Sequence, residues 1–301
     1  LHQRANPAPP WAKHNLDSTH MNTGVDAGSS FLESLKSSGD LLCAELRPPR
    51  ADKPGPQSMD DWIDTYHAVR RLTLSGTYIF LTDSAVGQQE EENLRHLMAN
   101  LGPGAHLPQI IPFLTCKHSL DYCLRYAERA YGHGLRTLVV LGGDRHDGVP
   151  RCVEHAYELR RKIRQRVPGM ILGGWANPHA NVDEQARFLA DEAGETDFYL
   201  TQVVSHHSAE NVARFLDAVG RKGVEMPGLF GVFYYRSARK NTLAILQQFF
   251  SVPTAELEAE FEKEKLSPDA ICARSIGKLR ELGIGNIYVS NLPIADAPAR
   301  L

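Results

Sequence analysis

Apolar residues along this chain follow two alternating rhythms. Short continuous runs rich in Leu, Ile, Val and Phe, bounded by Gly, Pro or polar residues, read as buried strands. Longer stretches between them repeat apolar residues three and four apart, the pattern of a helix with one buried face. Strands are expected at 41–46, 77–81, 109–114, 137–141, 170–174, 198–201, 229–233 and 286–289. Helices are expected at 59–74, 88–100, 120–131, 149–166, 183–193, 209–222, 238–250, 255–265 and 268–282. A short amphipathic helix at 29–38 precedes the first strand.

Strands that alternate with helices are parallel. Eight such units match a TIM (β/α)8 barrel, whose usual size is about 250 residues. A doubly wound sheet also alternates in this way, but no G-x-G-x-x-G follows the first strand. No linker or change of composition interrupts 41–292, so residues 28–301 read as a single barrel domain. Residues 1–27 are rich in Ala, Pro, Asn and His without a hydrophobic period, and read as a disordered or loosely packed arm.

Composition narrows the function. Of 301 residues, 42% are hydrophobic, enough for a sizeable core, and the formal net charge of -3 argues against a nucleic-acid or membrane-surface partner. No apolar run has the length of a membrane span, and the first residues carry no apolar signal core, so a cytoplasmic location is expected. The five cysteines are scattered and form no C-x-x-C pair, which reads as reduced, mostly buried thiols. A homo-oligomer is compatible with the chain but not indicated by it.

In a barrel, chemistry gathers where the strands end. The stretch Leu138-Val139-Val140-Leu141-Gly142-Gly143-Asp144 runs from a strand into two glycines and an acid. The other strand ends offer Glu45, Thr82-Asp83, Thr115-Cys116, Asn177-Pro178-His179, Gln202, Tyr234-Tyr235-Arg236 and Asn291. Carboxylates, amides and aromatics in a ring suit a polar heterocycle. Each has a plainer reading: Asp144 as a helix cap, Glu45 as partner of Arg47 or Arg50, Gln202 as support for loop backbone. Arg236, Arg239 and Lys240 follow strand seven, near a common barrel phosphate site, or else form a solvated helix start. His206-His207 is a candidate zinc pair, but adjacent histidines are expected to point apart, and neither an H-E-x-x-H motif nor a four-cysteine spacing exists. No metal is expected.

Several segments, taken in order, resemble the methylenetetrahydrofolate reductase family. They are Ala44-Glu45-Leu46-Arg47-Pro48-Pro49-Arg50, Leu114-Thr115-Cys116, Gly134-Leu135-Arg136 through Gly143-Asp144, Thr201-Gln202, and Tyr288 to Asn291. The resemblance implies a TIM barrel and the reduction of a folate's methylene bridge to a methyl group. It implies Glu45 as the general acid that protonates the departing nitrogen, Asp144 and Gln202 as pterin partners, and Tyr235 packed on the folate with Asn291 nearby.

The family usually passes hydride through FAD, and here the departures gather on the flavin's contacts. Phe113 stands where the family has a histidine, and Thr82-Asp83 where it has Thr-Tyr. Glu154-His155-Ala156-Tyr157 and Arg187-Phe188-Leu189-Ala190 lack the flavin-facing patterns. Together these imply a member without FAD, in which NADH, or NADPH, reduces the folate directly. The dinucleotide is then expected against Thr82, Phe113, Gly143, Arg145, His146, His179 and Arg236. The alternatives are an FAD enzyme with altered contacts and a non-catalytic folate-binding barrel.

Overall fold

The computed structural model describes residues 27–37, 39–83, 106–143 and 148–301. Eight strands form one closed barrel in sequence order. They are β1 (Leu42–Leu46), β2 (Ile79–Leu81), β3 (Ile110–Thr115), β4 (Thr137–Leu141), β5 (Ile171–Ala176), β6 (Phe198–Thr201), β7 (Gly228–Phe233) and β8 (Ile287–Ser290). Every neighbouring pair is parallel, and β8 closes on β1 through Leu42↔Ile287 and Cys43↔Tyr288. The fold is the TIM (β/α)8 barrel that the alternating rhythm predicts.

Side chains alternate across each strand, and the core divides accordingly. Ala44, Leu46, Ile79, Leu81, Leu138, Val140 and Val289 pack outward into the layer shared with the helices. Cys43, Phe80, Ile111, Phe113, Val139, Phe198, Leu229 and Tyr288 fill the barrel interior. Aromatic bulk there faces glycine. A Cβ on Gly173 would meet Phe198 at 2.5 Å, and one on Gly231 would meet Tyr288 at 2.5 Å. The rings therefore cross the interior where the neighbouring strand carries no side chain.

The first helix, Ala27–Ser37, plugs one end of the barrel. Phe31 is fully buried and meets Tyr78, Phe198 and Phe80 edge-on at 4.9, 5.1 and 6.2 Å. Asn286 donates its side-chain amide to the Leu35 carbonyl at 2.8 Å, tying this helix to the start of β8. Because this end is filled, the open end lies at the strands' carboxyl termini.

Several helices start and stop on local signals. Gly55–Leu74 begins earlier than periodicity suggests because Pro56 fits the first turn, where its missing N–H costs nothing. Ser119, Asn181 and Ser267 cap Leu120–Gly132, Val182–Asp191 and Pro268–Glu281 by accepting backbone N–H bonds. The helix expected at 149–166 begins only at Ala156. Gly148 and Pro150 hold the preceding residues in a loop, and Cys152 N–H bonds to the Cys116 carbonyl at 2.7 Å. The helix expected at 238–250 is confined to Lys240–Leu246. The one at 255–265 splits into Thr254–Glu258 and a π-helical turn, Ala259–Lys263. The helix expected at 88–100, the arm through residue 26, and Asp144, Arg145 and His146 lie outside the described residues. Four cysteines, Cys43, Cys116, Cys123 and Cys272, are buried as free thiols; burial raises the Cys116 and Cys272 pKa values to about 12. No helix among the described residues is long and apolar enough to cross a membrane.

Candidate functional site

The uppermost inward position of each strand opens into one cavity of about 570 Å3, a volume in the range of small-molecule sites. Glu45, Thr82, Phe113, Thr115, Leu141, Gly143, Trp175, Gln202, Phe233, Tyr288 and Ser290 continue the interior parity of their strands and line it. Leu246, Phe249 and Phe250, from the connection between β7 and β8, add an apolar wall, and Phe250 packs on Phe233 at 5.1 Å.

Glu45 is only 8% exposed within this largely apolar wall. The β1–β8 register that pairs Cys43 with Tyr288 sets the next inward residues, Glu45 and Ser290, side by side. The Ser290 hydroxyl donates to Glu45 Oε1 at 2.5 Å. Tyr288, one layer deeper, donates its hydroxyl to the Thr201 carbonyl at 2.6 Å. Its complete burial, with the nearby charge of Glu45, raises its pKa well above the ordinary phenol value, so it stays neutral. A carboxyl that borders the cavity stands within reach of a bound molecule, the geometric requirement for exchanging a proton with it.

Polar groups ring the rest of the cavity. Gln202 Oε1 accepts the Val203 N–H at 3.0 Å, which leaves its NH2 group for a ligand. Asn291 takes a left-handed backbone conformation, φ 67°, and donates to the Tyr234 carbonyl at 3.0 Å. Asp83 accepts from Thr115 N–H and Oγ at 2.7 and 2.9 Å, and its Oδ2 lies 2.8 Å from His118 Nε2. At the far wall stand Arg151, His155, Phe188 and Glu192. Glu192 pairs with Arg160, a guanidinium only 2% exposed that also donates to the Val140 carbonyl at 3.0 Å. Burial pushes the Glu192 pKa up, with Arg160 pulling against it.

The structure gathers Glu45, Thr82, Phe113, Gly143, Gln202 and Asn291 at this cavity. Three other candidates do not line it. Tyr235 is buried behind Phe233, ring centroids 4.9 Å apart, in a small core with Leu243, Val252, Leu257 and Ile271. Strand β7 ends at Phe233, and the chain beyond turns outward, so Phe233 is the aromatic that reaches the cavity. The His179 ring meets the Val203 carbonyl at 3.0 Å and fastens two loops together. Arg236 spends its guanidinium on the Asn291 and Leu292 carbonyls at 2.9 to 3.2 Å, joining the ends of β7 and β8. Sequence reasoning missed Trp175, Phe233 and Ser290, although each stands two residues beyond an interior position of its own strand. It noted His155 and Phe188 only as departures, and both line the cavity. Gly143 is required there: its φ is 79°, and a Cβ would sit 2.7 Å from the Lys117 side chain.

No family model matches the chain, and no curated protein matches it in sequence. Solved structures are similar in fold. An uncharacterized protein from Clostridium thermocellum that binds two copies of 5-methyl-5,6,7,8-tetrahydrofolic acid superposes with a TM-score of 0.61 at 16% identity. The match covers 87% of this chain and 93% of that one. A 2,3-dimethylmalate lyase of the PEP mutase/isocitrate lyase superfamily gives 0.50 at 13% identity, over 89% and 80% of the two chains. The carboxyl transferase domain of Rhizobium etli pyruvate carboxylase gives 0.50 at 10% identity, over 87% and 42%. At these identities the likeness is one of fold: the chain is a TIM barrel, similar in architecture to a folate-binding protein and to barrel enzymes.

Proposed function

We propose that this protein binds a reduced folate in the cavity at the open end of the barrel and reduces the methylene bridge of 5,10-methylenetetrahydrofolate to a methyl group. The observation that carries the reading is Glu45, a carboxyl almost withdrawn from water at the wall of a ligand-sized apolar cavity. The bridge must open to an iminium before hydride can add, and opening needs a proton on the departing nitrogen. Glu45 supplies that proton, and Ser290 orients it. Gln202 presents an amide to the pterin's polar edge, Asp144 is assigned to its N–H groups, and Asn291 borders the same ligand. Phe113, Trp175 and Phe233 supply apolar walls for the fused rings. The ligand class draws support from the Clostridium thermocellum neighbour and its bound 5-methyltetrahydrofolate.

NADH or NADPH supplies the hydride in this reading, and FAD has no part. Its nicotinamide would lie on the side of Thr82, Phe113 and Gly143, and the Arg151 guanidinium and the His155 ring stand at the far wall as donors toward its phosphates. Without a flavin to store the hydride, both ligands must be bound together, with reacting atoms about 3–3.5 Å apart.

The test is direct. Purified protein is titrated calorimetrically with 5-methyltetrahydrofolate, and NADH oxidation is followed with methylenetetrahydrofolate. Saturable folate binding and intersecting double-reciprocal lines are expected. Glu45→Gln should keep folate affinity while lowering kcat by at least about 100-fold. Folate binding with no NADH or NADPH oxidation would leave a non-catalytic folate-binding barrel, the second reading that the neighbour favours. Absence of folate binding would remove both.

A further inference from the structure

The loop after β6 carries the adjacent histidines, and the structure does not send them apart. His206–Ser208 forms a single 3-10 turn, and the two imidazoles lie with centroids 3.8 Å apart. Both rings direct Nε2 at one carboxylate, that of Glu260. His206 Nε2 lies 2.8 Å from Oε1, and His207 Nε2 lies 3.3 Å from Oε2. Glu260 is 2% exposed and stands in the π-helical turn Ala259–Lys263, more than fifty residues away in the chain. One ligand atom from each of the three residues can be chosen so that all lie within 4.8 Å of one another. π-Helical turns are uncommon and often mark functional sites.

We propose that His206, His207 and Glu260 form a divalent-cation site of the zinc class. Two imidazoles and one carboxylate, with a fourth position left to water, is an established donor set for zinc. Donor atoms around a tetrahedral ion with bonds of about 2.0–2.1 Å stand about 3.3 Å apart. The 3.3 Å between His207 Nε2 and Glu260 Oε2 matches that spacing, and His206 can add its donor atom within 4.8 Å of both residues' donors.

The surroundings are arranged as a metal would need. His206 Nδ1 lies 2.9 Å from the Ser275 hydroxyl, a partner that can accept the Nδ1 proton and leave the Nε2 lone pair for the ion. Arg274 donates to Glu260 Oε1 at 2.8 Å and to Glu264 at 3.2 Å. Its charge is thus matched by Glu264, and Oε2 of Glu260 remains for the cation. Both histidines come from the barrel loop, whereas Glu260 belongs to the β7–β8 connection. An ion here would fasten that connection, which also carries Leu246, Phe249 and Phe250 at the cavity wall. This inference stands whether or not the cavity binds folate.

The experiment uses the whole chain, treated with chelator and dialysed, then titrated with Zn2+ by calorimetry and with Co2+ by visible absorption. The expected result is one Zn2+ per chain, a raised melting temperature on adding Zn2+, and a Co2+ d–d band of four-coordinate intensity. His207→Ala alters the more exposed ligand and should fold. It should lower Zn2+ affinity by about 100-fold or more, beyond the 10- to 100-fold that loss of an outer partner costs. Glu260→Gln should do the same, Ser275→Ala should weaken binding by about 10-fold, and His133→Ala, at an exposed site elsewhere, should change nothing. Failure of Zn2+ to bind below millimolar concentration would overturn the proposal. So would binding that survives both His207→Ala and Glu260→Gln, since that is an adventitious ion only.

Discussion

Arg160 offers a measurable test of how the cavity's far wall is held. Its guanidinium is fully buried, pairs with Glu192 and donates to the Val140 carbonyl. Arg160→Met keeps most of the apolar stem and removes the charge. Breaking a buried pair from one side costs about 3–5 kcal/mol, because the remaining charge is stranded. The Glu192 side chain keeps 22% exposure at the cavity edge, so some water reaches it, and a loss at the low end of that range, about 3 kcal/mol, is expected at pH 8.

The cost depends on pH in a set direction. Burial already holds the Glu192 pKa above its ordinary value in the wild type, and losing Arg160 pushes it higher. A carboxyl with a raised folded-state pKa contributes stability that is complete below its unfolded value and lost as pH rises through the folded one. The variant should therefore lose less at pH 5 than at pH 8, with a slope of at most about 1.4 kcal/mol per pH unit. Urea denaturation of wild type, Arg160→Met and the double variant Arg160→Met/Glu192→Gln at both pH values measures this. The double variant should recover to within about 1.5 kcal/mol of wild type at pH 8, since no charge is left stranded. An equal loss at pH 5 and pH 8, or a double variant no better than the single one, would refute the account.

Two further outcomes are expected. Gly231→Ala places a Cβ 2.5 Å from the Tyr288 ring, which is buried and anchored on Thr201; overpacking should cost about 1–3 kcal/mol and lower the melting temperature by several degrees, and an unchanged melting curve would mean that the ring shifts freely. Gln202→Ala should weaken folate binding by about 1–3 kcal/mol while leaving the melting temperature near that of wild type, because it removes a ligand partner and only one local backbone bond; unchanged calorimetric affinity would take Gln202 out of the pterin site.

The barrel was legible because strand burial is written in runs and helix burial in period. Thr137–Leu141 and Phe198–Thr201 lie as the sequence reading places them, β-branched or aromatic runs stopped by glycines in the first and by Thr201-Gln202 in the second. Boundaries slipped where a local stop signal competed with a continuing apolar period. Pro150 delays the helix to Ala156, and the segment after Leu246 leaves the helical path to bring Phe249 and Phe250 to the cavity. Tyr235 was misplaced for a related reason. Sequence shows that a strand ends, but the direction of the chain afterwards is set by what it packs on, here Leu243, Val252 and Leu257. The histidine pair shows the same limit. Whether neighbouring side chains diverge or converge depends on the backbone between them, and a 3-10 turn made His206 and His207 converge on a residue far along the chain.

Glu45 itself carries the argument from fold to chemistry. The interior layers beneath it are Cys43, Phe80, Phe113 and Tyr288, chosen for packing. By size and position Glu45 could have been an aliphatic residue that extends this layer at no electrostatic cost. A carboxyl withdrawn from water needs polar partners, and the Ser290 hydroxyl is one of those that Glu45 has. A barrel needs no acid at that level to close, and the β1–β8 register is already fixed by backbone pairing. Glu45 stands at the strand-end face where barrels perform their chemistry, in the wall of the cavity that opens there. That position is what makes Glu45→Gln the substitution that separates a catalytic from a merely binding cavity.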